Sequence, residues 1–504
     1  MYRQIEIAES GAAAPGAVAV FVLEGADRLP AGYGEVDEAS GGALGAAIGR
    51  SEFSGGAGSV TPVYPGRGPA RVYLCGLGKA DELTGEAVRK SAGALCRAAA
   101  SGKVTRLAVR LLAGVAGRLS AAQAGAALAD GLELANLEFD AFRGAAAGGG
   151  KQEPLSLSVE VEPELRGALE RARVAAEAAN TARRLGATPP NVANPAWVSG
   201  QCRSLAERVG LEMEVIDAAR AKELGMGGLL AVGAGAAVEP SIVVLKWRGK
   251  ALEGEPPVML VGKAVTFDTG GYSLKPGKSM VGMKYDKLGG MAVIGAMEAA
   301  ARLEVDVPVV GLVPLAENMV DERAYRPDDI LTMSNGVTVE VTNTDAEGRL
   351  IMADALAWGT KAYRPRAVLD IATLTGGVVV ALGTACAGVW CNDADLRRRI
   401  GAAADWTGER VWEMPLWREH RDLLKSAHAD VVNSGEREAH PIQGAAFLSY
   451  FVGEGAAERL PALPWAHLDI AGTGNVKSDG PVFAKGPTGW GVRLIAKVLE
   501  GWGE

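Results

Sequence analysis

A chain of 504 residues, 22% charged and 48% hydrophobic, has the composition of a folded globular protein with length for two or more sizeable cores. Its formal net charge of −8 supplies no basic footprint for nucleic acid or for an acidic membrane face. Five scattered cysteines, Cys75, Cys96, Cys202, Cys386 and Cys391, contain no CxxC pair, which argues against a disulfide framework or thiolate zinc site and fits a reducing, cytoplasmic compartment.

The opening MYRQIEIAES lacks the continuous apolar core of an export signal. From there to about residue 150, apolar runs such as AVAVFVL and ARVYLCGLG alternate with alanine-rich helical stretches such as EAVRKSAGALCRAAA. That is the βαβα pattern of a parallel sheet. GAAAGGG, residues 144 to 150, reads as a connector, and LSLSVEVE as one more strand. A long helical pattern over 163–185 stops before Gly186 and the pair Pro189-Pro190. The boundaries that follow are an amino-terminal α/β domain over 1–162, a linking helix over 163–185, and a larger domain over 186–504. In the larger domain, SIVVLKW, PVMLVGKAV, PVVGLVPLA and AVLDIATL alternate with helices such as GGMAVIGAMEAAARL. The fold class is α/β, two domains, each a mostly parallel or mixed sheet flanked by helices. The uncharged run over 371–390 is long enough for a membrane span, but its glycines and threonines favour a buried strand and a glycine-rich loop.

Two stretches concentrate charge where strands end. VGKAVTFDTGGYSLKPGKSMVGMKYDKLGG, residues 261 to 290, mixes glycines with Lys263, Asp268, Lys275 and Asp286. It also holds Val265, Phe267, Tyr272, Leu274 and Met283, more apolar bulk than a solvated loop carries. NTDAEGRL, residues 343 to 350, sets Asp345, Glu347 and Arg349 at alternate positions between the strand pattern of 337–342 and the helix pattern of 350–363. In extended chain the three would point to one side, with Gly348 turning the backbone into the helix. An acidic helix cap would look similar. If both stretches meet at adjacent strand ends, Asp268, Asp286, Asp345 and Glu347 form a four-carboxylate cluster that needs counterions. Two divalent cations would balance it. All four histidines, His420, His428, His440 and His467, lie far downstream, which excludes a HExxH zinc site here.

VGKAVTFDTGGYSLKP, MKYDKLGG and NTDAEGRL closely resemble the signature segments of the leucyl aminopeptidase family, also called cytosol aminopeptidases. The resemblance continues in TPPNVANP near residue 190, DIATLTGG from Asp370, AAFLSYF from Ala445 and WAHLDIAGTG from Trp465, and so covers the chain from about residue 175 onward. It implies that the larger domain is a catalytic peptidase domain, which removes the amino-terminal residue of peptides, leucine-like side chains preferred, using two divalent ions, Mn²⁺ or Zn²⁺, and a metal-bridging water as nucleophile. Lys263, Asp268, Asp286 and Glu347 match ligands of one ion, and Asp268, Asp345 and Glu347 those of the other. A lysine ligand must be neutral, which costs about 5 kcal/mol at neutral pH; unaided, a Lys263 salt bridge to Asp286 or Asp268 is the plainer reading. Lys275 matches the catalytic lysine that stabilises the oxyanion, and Arg349 the arginine that holds a bicarbonate general base. Met283, Asn343, Thr373, Leu374 and Gly376 match residues around the substrate.

Thr269 and Tyr272 depart from the family pattern where serine and a smaller aliphatic residue are expected, so Tyr272 bears on the shape of the cleft. REAHPIQGAAFL, residues 437 to 448, departs from the glycine-rich sequence usual before AAFL. The resemblance also implies a homohexamer, with peptides as the partners and no membrane. A DNA-binding regulator on the same scaffold is the alternative, against which the acidic balance counts. A metal-dependent phosphoesterase would share the carboxylates but not the octamer.

Overall fold

The apolar run Ala17–Val22 forms a strand buried at every position, as a sheet covered on both faces requires. It is β2 of a sheet whose members are β1 (Gln4–Ala8), β3 (Val60–Val63), β4 (Arg71–Gly76), β5 (Arg106–Arg110) and β6 (Ser156–Glu160). Among the described residues the order is β1-β6-β5-β2-β4-β3, parallel throughout except for β3 against β4. The alanine-rich helices Gly85–Ser101 and Ala121–Ala135 bury faces in the same core as Phe21 and Leu107. A capping box at Ser120, with Gln123 reaching back, starts the second of them.

The computed structural model describes residues 1–8, 16–48, 53–144, 146, 155–250 and 254–503. The expected connector over 144–150 lies largely outside these. The chain divides into two units. One is Met1–Asn180 with Trp406–Gly408 and Lys477–Lys485; the other is Thr181–Asp405 with Glu409–Val476 and Gly486–Glu504. The anticipated long helix runs Pro163–Ala187, and the division falls within it, at Asn180. Two segments far down the chain group with the first unit, which no local pattern announces. The carbonyl of Pro481 stands 2.5 Å from where a Cβ on Gly93 would be, so that glycine admits one of them.

The second unit is built on β7 (Glu212–Ile216), β8 (Ser241–Trp247), β9 (Val258–Gly262), β10 (Ala264–Asp268) and β11 (Val309–Asn318). Next come β12 (Ile330–Thr332), β13 (Thr338–Glu340), β14 (Ala367–Ala372), β15 (Ala387–Cys391), β16 (Val411–Glu413), β17 (Val431–Val432) and β18 (Trp465–Asp469). Among the described residues the main sheet runs β16-β15-β18-β14-β9-β11-β8-β7, with β10 also on β11. It is mixed: β8 is antiparallel to β11 and β15 to β18, while β14, β9 and β11 are parallel. β9 and β10 follow β11 in turn, with a break at Lys263 and a register shift between Val265 and Asp268. There the backbone N–H bonds Ile371 on β14, and the carbonyl accepts from Gly290.

Two expectations need correction. The strand before NTDAEGRL exists as β13, but it belongs to a separate sheet, β12-β13-β17, so the two charged stretches are not at neighbouring strand ends of one sheet. The run over 371–390 contains a helix, Gly376–Leu382, capped by the Thr375 hydroxyl, between β14 and β15. A capped turn satisfies the backbone there better than an open loop. No helix among the described residues is long and apolar enough to cross a membrane.

Candidate metal centre

Lys263 sits in the break between β9 and β10, and Asp268 closes β10. Asp286 ends the turn Met283–Tyr285 that leads into the helix Leu288–Arg302, and Glu347 is the residue before the helix Gly348–Tyr363. These four converge. The Lys263 ammonium lies 2.8 Å from Asp286 Oδ2 and 2.9 Å from Glu347 Oε1, and donates to the Thr373 carbonyl at 3.0 Å. Carboxylate oxygens of Asp268, Asp286 and Glu347, all buried, lie within 4.8 Å of one another. Lys275 enters from the other side, 2.8 Å from Asp268 Oδ2 and 2.5 Å from Asp345 Oδ1.

Charge balance favours added cations. Four carboxylates face two ammoniums. Burial and the neighbouring Glu347 push the Asp268 carboxyl up to about 6, and burial raises Asp286 well above its ordinary range. Glu347, equally buried, is drawn down by Lys263 and Lys275. Burial opposes charge on Lys263, but Asp286, Glu347 and Asp268 outweigh it and hold the ammonium above its usual range. Glu347 Oε2 and Asn318 Oδ1 are buried without hydrogen-bond partners among the described residues. A cluster of hard oxygens with surplus acid and an unused carboxylate oxygen suits divalent cations.

Local conformation differs from the extended chain expected over 345–349. Asp345 occupies a turn, Glu347 has helical φ and ψ, and Arg349 is in the first turn of the helix. The three acquire their directions from this tightening. Gly348 does not provide the turn, since its φ is ordinary. A Cβ there would lie 2.2 Å from Lys263 Cε, so its role is to leave room for the lysine. Arg349 is buried and donates to the Asn433 carbonyl at 2.7 Å, its one hydrogen bond among the described residues. It makes no ion pair there, although Glu347 and Asp469 lie close enough to act on it. Burial pushes its guanidinium down to about 10.

Of the expected substrate-side residues, Thr373 is within the cluster, its hydroxyl 2.9 Å from Asp286 Oδ1. Leu374 lies in the adjoining loop and Gly376, after the cap Thr375, begins the helix Gly376–Leu382 and opens to free space. Asn343 caps the Asp345 turn through Oδ1, and Met283, half-buried, begins the turn that ends at Asp286. Tyr272 is 47% exposed with its hydroxyl on the Asp321 carbonyl, and no hydrogen bond among the described residues ties it to the carboxylates.

Several positioning residues escaped sequence reading. Asn318, at the end of β11, donates to Asp268 Oδ1 at 2.8 Å and to the Thr344 carbonyl at 3.0 Å. The Thr344 hydroxyl donates to Gly270 at 2.6 Å and accepts from Ser273, which latches the two charged stretches together. Asn433 binds the backbone of Thr342 and Asn343. Asp469 accepts from Leu374 N, Thr375 N and the Thr375 hydroxyl, fixing the loop that carries Thr373. The one signal was a polar residue closing an apolar strand run, as at Asn318 and Asp469.

The described catalytic domain of the cytosol aminopeptidase family matches residues 180–496, and the amino-terminal domain of the same family matches residues 17–145. A probable cytosol aminopeptidase of Geobacter sp. (strain M21) is 41% identical over 474 residues, 93% of this chain and 94% of that protein. One from Solibacter usitatus (strain Ellin6076) is 42% identical over 440 residues, 87% of this chain and 88% of that protein. Among solved structures, the bottromycin maturation enzyme BotP in complex with Mn superposes with a TM-score of 0.84 at 34% identity, covering 97% of this chain and 100% of that one. The chain belongs to the cytosol aminopeptidase family.

Proposed function

We propose that this chain is a metal-dependent aminopeptidase that releases the amino-terminal residue of peptides, leucine-like side chains preferred, at a dinuclear centre. The observation that carries the reading is the buried convergence of Asp268, Asp286 and Glu347 around Lys263, with Lys275 and Asp345 on its other side. Lys263, Asp268, Asp286 and Glu347 would hold one ion, and Asp268, Asp345 and Glu347 the other. Mn²⁺ and Zn²⁺ both suit this donor set. Bound divalent ions supply Lewis acidity and a water acidified toward neutral pH.

The chain's own groups do the rest. Lys275 remains an ammonium, held by Asp268 and Asp345, and stabilises the oxyanion that develops on the attacked carbonyl, a contribution of about 3 kcal/mol. Arg349 offers a buried guanidinium with donors to spare, a partner for a planar anion; bicarbonate there would take the proton from water and return it to the leaving amine. Met283, Asn343, Thr373, Leu374 and Gly376 surround the substrate, where apolar lining discriminates side chains by about 1–3 kcal/mol. On this reading the protein works in the cytoplasm as a homohexamer, as the family resemblance implies.

Hydrolysis of leucine p-nitroanilide, measured after chelation and after adding back Mn²⁺ or Zn²⁺, tests it, with Glu347→Ala as control. Metal-restored turnover that the substitution lowers at least about a thousandfold is expected. No turnover with any ion on a panel of aminoacyl substrates would overturn the reading.

A further inference from the structure

Two polar side chains near the carboxylate cluster have hydrogen-bonding capacity that the fold does not use. Arg349 is buried with a single hydrogen bond among the described residues, to the Asn433 carbonyl. His440, half-buried, opens the helix His440–Leu448, and neither ring nitrogen has a hydrogen-bond partner among the described residues. Buried and half-buried histidines ordinarily settle at least one nitrogen on a carbonyl or carboxylate.

The chain works to place this ring. Ala439 adopts a left-handed conformation, φ 51°, costly for a residue with a Cβ, immediately before His440. Gln443 holds the approach by accepting from Gly435 N at 3.0 Å and donating to the carbonyls of Glu436 and Glu438. The same segment carries Asn433, the acceptor for Arg349. Imidazole Nδ1 comes within 2.8 Å of where a Cβ on Gly377 would stand, so the ring lies against the start of the helix Gly376–Leu382. The charges that reach it are Arg349 and Asp469, while Glu436, Arg437 and Glu438 of its own segment are exposed. Asp469 is already committed to Leu374, Thr375 and Ala471 and leaves the imidazole without a carboxylate partner.

We propose that His440 is a second member of the anion pocket around Arg349, a positioning residue that holds a planar oxyanion of the bicarbonate class through one imidazole N–H. The inference rests on the proposed role of Arg349 and adds a residue from outside the signature segments. A guanidinium with several unused donors supplies charge and two parallel bonds, and a neutral imidazole adds a donor from a second direction without burying another charge.

The test is binding of ¹³C-bicarbonate to the metal-loaded protein in carbonate-depleted buffer, followed by NMR line width, for the unsubstituted chain, His440→Ala, His440→Gln and Arg349→Ala. Thermal melts exclude misfolding. Expected are binding weakened about tenfold by His440→Ala, as for one hydrogen bond to an ion, recovery to within about threefold by His440→Gln, whose amide donates, and no binding in Arg349→Ala. Unchanged binding in His440→Ala, equal weakening in both His440 variants, or no bicarbonate binding by the unsubstituted chain each overturns the inference. Metal-restored hydrolysis of leucine p-nitroanilide is read separately, so the aminopeptidase reading can stand when this one fails.

Discussion

Lys263 shows how one residue's chemistry depends on what it faces. Beside Asp286 and Glu347 it is an ammonium; as a metal ligand it must give up its proton. Because its ammonium is held above the usual lysine range, ligation by Lys263 as proposed should release at least one proton for each ion bound at any pH near neutrality, with apparent affinity rising at least about tenfold per pH unit. Calorimetry in two buffers of different ionisation enthalpy should show that release, and a binding heat independent of the buffer would remove Lys263 from the ligand set. Asn318 acts one step back. Its amide holds Asp268 Oδ1 and the Thr344 carbonyl, so Asn318→Ala should weaken metal binding about 10- to 100-fold with little change in KM at saturating metal. Metal titration of the apoprotein checks it, and an unaltered affinity would reduce Asn318 to a fold residue.

At the scale of elements, the helix Gly348–Tyr363 joins site and core. Its first turn carries Arg349, and Gly348 makes way for Lys263. Gly348→Ala improves helix propensity by about 1 kcal/mol but drives Lys263 aside. The melting temperature of the apoprotein should therefore hold or rise while metal affinity and turnover fall; parallel loss of both would mean that the glycine serves the fold instead. Two turns on, Asp354 accepts from Leu229 N and Ser334 N, each at 2.9 Å, and burial pushes its carboxyl up to about 7. The folded state thus binds this proton more tightly than the unfolded chain. The resulting stability is complete below the unfolded value near 3.8 and is lost as pH rises through about 7. In Asp354→Asn, the fall in unfolding free energy between about pH 5 and pH 8 should shrink, whatever the fixed cost of the substitution. An unchanged fall would assign it to other groups.

For the whole molecule, the family resemblance leads to six copies. Sedimentation at micromolar concentration should give about six times the chain mass, and a monomer would overturn that expectation. Within each chain all five cysteines are free, and Cys75, Cys96 and Cys202 are buried beyond the reach of an oxidant while Cys386 and Cys391 are partly exposed.

Sequence alone determined the two-domain α/β class, because buried parallel strands and alanine-rich helices leave periodic patterns that need no partner to be read. It also singled out Asp268, Asp286, Asp345 and Glu347, since acids amid glycines and apolar bulk have few structural uses, while Lys263 was picked from its neighbouring lysines by the family resemblance. Tertiary structure decided the rest. The backbone over 345–349 is turn and helix rather than strand, because the segment closes onto Lys263 and Asn433 instead of pairing in a sheet. β13 left the main sheet for β17, nearly a hundred residues away. Asn318, Asn433, Asp469 and His440 act from distant segments, most of them through backbone atoms. Such bonds impose no spacing on the sequence, and only the packed fold brings their partners within reach.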